Sequence, residues 1–306
     1  MPNGSVVNEF LLLGFSNSPE LQILYFVIFL TIYLAALMAN FLIITIISLD
    51  HHLHTPMYFF LINLSIVDLG AISVTIPKSM SNTRSISYLG CAAQVFFLIF
   101  FMAADLSFLT IMAYDRYVAI CDPLNYTRLM SKGSCVKMAV TSWVSGLLYG
   151  ALHVSSTFAI TFCSNNINQF FCEIPQLLKL SCSNLYLIEA GALAFGACLV
   201  FSCFIFITIS YVQIFRAVMK IPSTKGRQKA FSTCLPHLTV VSLFIFTCTF
   251  AYLRPISRSS SDLDLAVAVI YCAVPPMMNP VIYSIRNKEI QAALRRLMKK
   301  VVNQII

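Results

Sequence analysis

Seven apolar runs, each long enough to cross a lipid bilayer, constrain this chain more than any other feature. They lie at about 23–49, 57–80, 92–120, 136–160, 185–218, 230–253 and 263–285. A helical span of a bilayer takes ~20 residues. Of the 306 residues only 10% are charged and 58% hydrophobic, and the mean hydropathy is +0.82. A soluble domain carries roughly a quarter charged residues. Backbone in lipid must satisfy its own hydrogen bonds, so the runs are expected to be helices of one all-α integral membrane bundle. The chain then divides into an extracellular segment (residues 1–22), a seven-span domain (23–285) and a cytoplasmic helix and tail (286–306).

Orientation follows from the lysines and arginines. With the N-terminus outside, Arg116, Arg128, Lys132 and Lys137 fall at the second inner loop, and Arg216, Lys220, Lys225, Arg227 and Lys229 flank the third. Arg286, Lys288, Arg295, Arg296, Lys299 and Lys300 lie in the tail, while only Lys78, Arg84, Lys179, Arg254 and Arg258 remain outside. A three-to-one bias of this kind fixes topology. The net charge of +8 is therefore an inner-face property suited to anionic lipid or an acidic protein partner, not a sign of nucleic-acid binding. The N-terminal segment lacks the basic start and early apolar core of a cleaved signal, so the first span reads as a retained signal anchor. Asn3-Gly-Ser5 is a glycosylation sequon on the outer side. Asn63-Leu-Ser65 and Asn125-Tyr-Thr127 match the same pattern but fall in membrane or cytosol.

Eleven cysteines show no zinc-like spacing. Cys91, Cys163, Cys172 and Cys182 lie on the outer, oxidising side, an even set that reads as two disulfides with three connectivities open. They would pin the long second outer loop, about 161–184, over the bundle mouth as a lid.

Charges inside a membrane are costly and mark function. Asp115 and Arg116 end the third span; an Asp-Arg couple there suits a latch that holds one conformation, and Arg116, which cannot lose its proton, needs a partner. Asp68 and Asp105 are the deepest acids, and Asn40 and Asn279 lie at depths that face them. If close, the two carboxylates favour either a bound cation, such as sodium, or one protonated acid, in a polar cluster that could hold sodium, water or a shared proton. An intramembrane aspartyl protease is disfavoured, because no Gly-rich partner motif surrounds Asp68 and Arg116 beside Asp115 opposes acid chemistry. A transporter is disfavoured because seven spans do not divide into equal inverted repeats. Pro236 and Pro280 interrupt the sixth and seventh spans and supply bend points for a switching bundle. In the tail, Ile290, Ala293, Leu294 and Leu297 share one helical face and Arg295, Arg296, Lys299 and Lys300 the other, predicting a short amphipathic helix on the inner leaflet.

These motifs together resemble the vertebrate olfactory receptors, within the rhodopsin-like seven-helix G-protein-coupled receptors. The resemblance rests on Leu11-Leu-Leu-Gly-Phe15, on Leu53-His-Thr-Pro-Met-Tyr-Phe-Phe-Leu61 with Asp68, and most specifically on Met112-Ala-Tyr-Asp-Arg-Tyr-Val-Ala-Ile-Cys121. Ser210-Tyr211, Lys229-Ala-Phe-Ser-Thr-Cys234 with His237-Leu238, and Pro276-Met-Met-Asn-Pro-Val-Ile-Tyr-Ser-Ile-Arg-Asn287 extend it to nearly the whole chain. The pattern is closer to the large tetrapod class than to the fish-like class. It implies Cys91–Cys172 and Cys163–Cys182 pairing, and a switch of Asp115, Arg116, Tyr117, Tyr211, Asn279, Pro280 and Tyr283 that opens an inner cavity for a stimulatory G protein. It also adds weight to sodium at Asp68 and Asp105. Several positions depart from the family: Ala39 before Asn40, Asn125 in the second inner loop, Leu235-Pro236, and Phe244-Ile245-Phe246, where many members have a tyrosine that Ile245 replaces.

By the same alignment the resemblance implies a ligand cavity lined by Leu98, Ile99, Met102, Ala103 and Leu106 of the third span and Phe195 and Leu199 of the fifth. Ile245, Cys248, Thr249 and Tyr252 of the sixth and Cys272 of the seventh complete it. No acid stands in the upper third span to hold an amine, and no seventh-span lysine could carry retinal. The expected ligand is a small, neutral, mainly apolar odorant, with Tyr252 and Thr249 offering hydrogen bonds. Burial at ~0.8 kcal/mol per methylene implies micromolar affinity. The expectation is an odorant receptor of olfactory neuron cilia that raises cyclic AMP and is not an enzyme; the alternative is a seven-helix receptor for an endogenous apolar metabolite outside the nose.

Overall fold

Helix starts in this chain are written in short polar or proline signals, and the structure begins its elements there. The computed structural model describes residues 7–12, 18–81, 83–182, 186–220, 223–253 and 262–305. Proline opens α1 (Pro19–Leu49) and α2 (Pro56–Ser79), where its missing N–H costs nothing and its fixed φ suits a first turn. Ser87 caps α3 (Tyr88–Cys121) by accepting the Gly90 N–H at 3.1 Å. A single turn, α4 (Tyr126–Leu129), precedes α5 (Lys132–Thr157), which Ser131 caps through the Ser134 N–H at 3.3 Å. A short α6 (Ile174–Lys179) lies in the second outer loop. Then come α7 (Tyr186–Met219), α8 (Thr224–Leu253), α9 (Asp262–Arg286) and α10 (Lys288–Ile305).

The seven spans are thus α1, α2, α3, α5, α7, α8 and α9, a seven-helix membrane bundle. Five of them are long and apolar enough throughout to cross a membrane, and α8 contributes a shorter apolar stretch, Cys234–Thr249. Large apolar side chains on the outer surface, such as Met38 at 72% and Phe246 at 69% exposure, face where lipid would solvate them. One boundary differs from the sequence expectation. α8 begins at Thr224 rather than near 230, so Lys225, Arg227 and Lys229 sit on the helix's first turns instead of in a loop. Pro236 and Pro280 lie within continuous helices; neighbouring helices in a bundle tolerate such prolines.

Small residues set the closest helix contact. A Cβ on Gly146 would stand 2.9 Å from the Phe100 carbonyl oxygen, and one on Gly150 3.0 Å from that of Phe96. The backbones of α5 and α3 therefore touch along a Gly-x-x-x-Gly face, and Phe96 and Phe100 lie across it. Lipid is as apolar as the side chains, so close van der Waals packing of this kind, rather than the hydrophobic effect, holds spans together.

Two large clusters make up most of the core. The inner one joins α1, α2, α3, α5, α7, α8, α9 and α10 through Ile46, Leu61, Phe108, Met112, Ile214, Val240 and Ile290, among others. The outer one lies under a three-stranded sheet in the order β2-β1-β3, where β1 is Glu9–Leu12, β2 Ser85–Ser87 and β3 Asn166–Ile167. β1 pairs antiparallel with β2 and parallel with β3, so the N-terminal segment threads between the two outer loops. Disulfides Cys91–Cys172 and Cys163–Cys182, with Cα separations of 5.5 and 5.7 Å, hold the second outer loop down.

The tail helix departs from a purely lipid-facing role. Ile290 and Ala293 of α10 are buried in the protein's own inner cluster, with Leu294 and Leu297 packed against it. Asn287 caps α10, its Oδ1 accepting the N–H groups of Glu289 (2.9 Å) and Ile290 (3.2 Å). The Tyr58 hydroxyl reaches the same elbow, donating to Glu289 Oε2 at 2.7 Å. Arg296 donates to Asp50 Oδ2 at 2.6 Å, while Asp50 Oδ1 accepts the His52 N–H and so caps the 3-10 turn His51–Leu53. One carboxylate therefore ties the first inner loop to α10, and the arginine holds it below the usual carboxylate range.

Candidate functional site

Three groups of candidate residues follow one another along α3. The outermost is the predicted cavity. α3 presents Leu98, Ile99 and Leu106 buried and Met102 and Ala103 half-buried, a spacing of three and four residues that keeps them on adjoining faces. Leu106 packs in one cluster with Ile245 and Cys248 of α8. Cys272 of α9 is buried, whereas Thr249 is exposed. The side chain of Tyr252 lies outside the described part, as does Asn3. Phe195 and Leu199, at 55% and 44% exposure, are not drawn into the interior. The inward stripe of α7 runs beside them instead, through Leu193, Gly196, Val200, Cys203 and Ile207. Their period fits α7 against α3 and α5, and it turns both predicted ligand residues to its flank.

Gln94, one turn below Cys91, secures the roof of this region. Its Nε2 donates to the Val74 carbonyl at 2.9 Å and its Oε1 accepts the Cys172 N–H at 2.8 Å. One buried amide thus links α2, α3 and the disulfide-bearing loop. It went unassigned in the sequence, though a glutamine three residues after a bridging cysteine shares its helical face.

Below lies the acid pair. The amide of Asn279 donates to both oxygens of Asp68, at 3.0 and 3.1 Å. Asp105 is within electrostatic reach of both Asp68 and Cys248. Asn40 uses its amide N–H groups on the Ala36 and Pro276 carbonyls, each at 3.0 Å, rather than on an acid. The Oδ1 atoms of Asn40, Asp105 and Asn279 are buried with no hydrogen-bond partner in the structure. Oxygen atoms left unmatched in this way suit a hard cation or water.

At the inner end lie Asp115 and Arg116, which interact electrostatically but each also meet other partners. Asp115 is buried and accepts the Tyr126 hydroxyl at 2.9 Å. Burial, and then the Asp115 carboxylate beside it, hold the phenol of Tyr126 above its usual range. Tyr126 is the middle residue of the discounted sequon, and no periodicity pointed to it. Arg116 is half-buried, within electrostatic reach of Tyr211, His237 and Tyr283. Tyr211 on α7 bonds instead to His237 Nδ1 on α8, at 2.8 Å, and the Tyr283 hydroxyl has no partner. Tyr117 is half-buried against the inner cluster. Asn125, at a departing position, closes on Asp122 with two 3.0 Å bonds.

Residues 29–301 match the olfactory receptor family. Human olfactory receptor 14A2 is 52% identical over 309 aligned positions, which cover 99% of this chain and 98% of its own length. Human olfactory receptor 14I1 is 52% identical over 306 positions, 98% of each chain. Human olfactory receptor 5B21 is 46% identical over 309, covering 99% of this chain and all of its own. The chain belongs to the olfactory receptor family. It is an odorant receptor of the G-protein-coupled kind, a multi-pass membrane protein and not an enzyme.

Proposed function

We propose that this receptor binds small, neutral, mainly apolar odorants in the outer half of the bundle. Binding there drives nucleotide exchange on a stimulatory G protein and raises cyclic AMP. The observation that carries this reading is the face of α3 between Gln94 and Asp105, where every residue from Val95 to Ala104 is apolar. A charged ligand would find no counter-ion along it, whereas an apolar one gains dispersion and burial. Leu98, Ile99, Met102, Ala103 and Leu106 form one wall and Ile245, Cys248 and Cys272 supply others, to which the family alignment adds Tyr252. An odorant shifts the equilibrium by its differential affinity for the active bundle, and Arg116 then leaves its resting surroundings to meet the G protein. Catalysis belongs to the partner proteins.

The test is a cyclic AMP assay over a panel of neutral odorants and their carboxylate and amine analogues. Responses confined to the neutral compounds, lost in Arg116→Ala at unchanged surface level and re-ranked in Met102→Ala and Tyr252→Ala, support the reading. A full response by Arg116→Ala, or a preference for charged analogues, refutes it.

The same reading places the N-terminus and a glycan at Asn3 outside, the tail inside against anionic lipid, and the receptor in olfactory neuron cilia. Antibody access to terminal tags on intact cells decides the orientation. It also assigns a sodium ion, or a shared proton, to Asp68 and Asp105, which the unmatched oxygens beside them fit. Sodium raising the melting temperature of the wild type but not of Asp68→Asn is the expected result; an equal response in both removes the ion from the scheme.

A further inference from the structure

The roof of the bundle is built from three pieces of chain that differ in how firmly they are held. The second outer loop is bonded covalently to α3 by Cys91–Cys172 and closed on itself by Cys163–Cys182. β2 runs directly into α3. β1 is a four-residue strand between them, with alternating exposed and buried side chains. Around it, the Leu11 N–H donates to the Asn165 carbonyl and the Leu12 N–H to the Arg84 carbonyl, both at 2.7 Å, and the Asn8 carbonyl accepts the Tyr88 N–H at 2.9 Å. Its deepest anchor is Phe10, fully buried. The ring meets Phe162 edge-on at 5.4 Å and stacks on Tyr88 at 6.1 Å, and Phe158 packs edge-on against Tyr88 at 5.1 Å. The apolar cluster that holds Phe10 continues through Cys172 and Val95 to Ile99. Phe10 therefore shares one apolar cluster with Ile99, a wall residue of the proposed cavity.

We propose that β1 is the gate of this receptor: an odorant reaches the cavity, and leaves it, when β1 lifts and Phe10 withdraws from its aromatic box. The proposal rests on the odorant cavity described above. Disulfides hold the second outer loop in place and β2 is continuous with a span, so β1 is the piece that moves without breaking a covalent bond or unwinding a helix. The box that Phe10 vacates, formed by Tyr88, Phe158 and Phe162, is apolar and aromatic. It gives a neutral apolar molecule the contacts that Phe10 gives up and offers nothing to a charged one, so the gate selects the same ligand class as the cavity.

Glu9 and Ser87 are directly opposed across β1 and β2, and both are exposed. A Glu9→His/Ser87→His variant lets Zn²⁺ staple the strap shut, and a chelator releases it without touching the native disulfides. The probes are medium-chain aliphatic aldehydes, ketones and esters in a real-time cyclic AMP assay. Zinc given before the odorant is expected to slow the onset about tenfold, and zinc given after it to slow the decay on wash-out by a similar factor, because the open fraction falls. Either single-histidine variant should show neither effect. Phe10→Ala should speed both phases. Zinc-insensitive kinetics in a double variant whose melting temperature zinc raises, or unaltered onset and wash-out in Phe10→Ala, would overturn the gate. No response to any odorant, in wild type as in variants, would instead refute the cavity reading.

Discussion

Replacing Gly146 and Gly150 together by alanine tests the packing that positions the cavity. At Gly146 the added methyl meets the Phe100 carbonyl oxygen at 2.9 Å and its ring at 3.0 Å, against an ordinary contact of 3.4–4 Å. At Gly150 it meets the Phe96 carbonyl at 3.0 Å. A helix carbonyl cannot rotate aside as a side-chain end does, so α5 and α3 must separate by roughly 0.5 Å along the seam, the kind of overpacking that costs about 1–3 kcal/mol per site. Alanine returns ~0.5–1 kcal/mol of helix propensity at each position, leaving a net loss of roughly 1–4 kcal/mol for the pair. At about 2–4 °C per kcal/mol for a chain of this size, the melting temperature should fall by roughly 2–16 °C. Heating detergent-solubilised receptor and counting the folded fraction by gel filtration measures it. The controls are in the same chain: nothing lies within 4 Å of a Cβ built on Gly133 or Gly191, so Gly133→Ala and Gly191→Ala should hold or slightly raise the melting temperature. A double variant at 146 and 150 that melts with those controls would show that the seam is looser than its geometry, and the argument from backbone contact would fail.

Tyr126→Phe removes the 2.9 Å hydrogen bond to buried Asp115, a loss of about 1–3 kcal/mol from the resting inner face. Basal cyclic AMP should rise severalfold without odorant, and a wild-type baseline would take Tyr126 out of the switch. Gln94→Leu cuts both amide bridges between α2, α3 and the second outer loop; flow cytometry should find less receptor at the cell surface, and an unchanged amount would make Gln94 dispensable to the roof. Arg296 depresses the pKa of Asp50 below its ordinary 3.8, so the pair's contribution is complete above that value and lost as pH falls through the folded pKa. The melting-temperature gap between wild type and Asp50→Asn should therefore stay constant from neutral pH down to the ordinary carboxylate value and narrow only below it. A gap that closes nearer neutrality would remove the Asp50–Arg296 pair as its cause.

What the sequence could and could not convey divides along a physical line. Apolar run length, cation asymmetry and proline or serine at helix starts are local properties, and they placed the seven spans to within a turn or so except at α8. There the basic first turns of the helix look like loop to any hydropathy argument, because solvated charge and helix propensity are independent. The stripe of α7 was misplaced for a related reason. In a span that is apolar all round, periodicity carries little contrast, and only the partners α3 and α5 decide that Leu193, Gly196, Val200 and Cys203 face inward while Phe195 and Leu199 do not.

Polar contacts between distant segments were the least legible, and they are what the bundle uses to fix its states. Asp115 and Arg116 are adjacent in sequence, which invites pairing them, yet neighbours on a helix point about 100° apart. Asp115 therefore turns to Tyr126 on the loop side, and Arg116 faces the region of Tyr211, His237 and Tyr283. Asp115 is thus tied to the second inner loop while still feeling the charge of Arg116, and Arg116 also lies within electrostatic reach of the α7–α8 seam. In this arrangement Tyr211 is already engaged by His237 at 2.8 Å while Tyr283 is unpartnered. A movement of α8 that breaks the first contact frees one phenol beside a cation and a second phenol waiting for a partner. On the proposed mechanism, the unmatched Tyr283 hydroxyl is hydrogen-bonding capacity that this arrangement leaves unused and that a displaced α8 could satisfy.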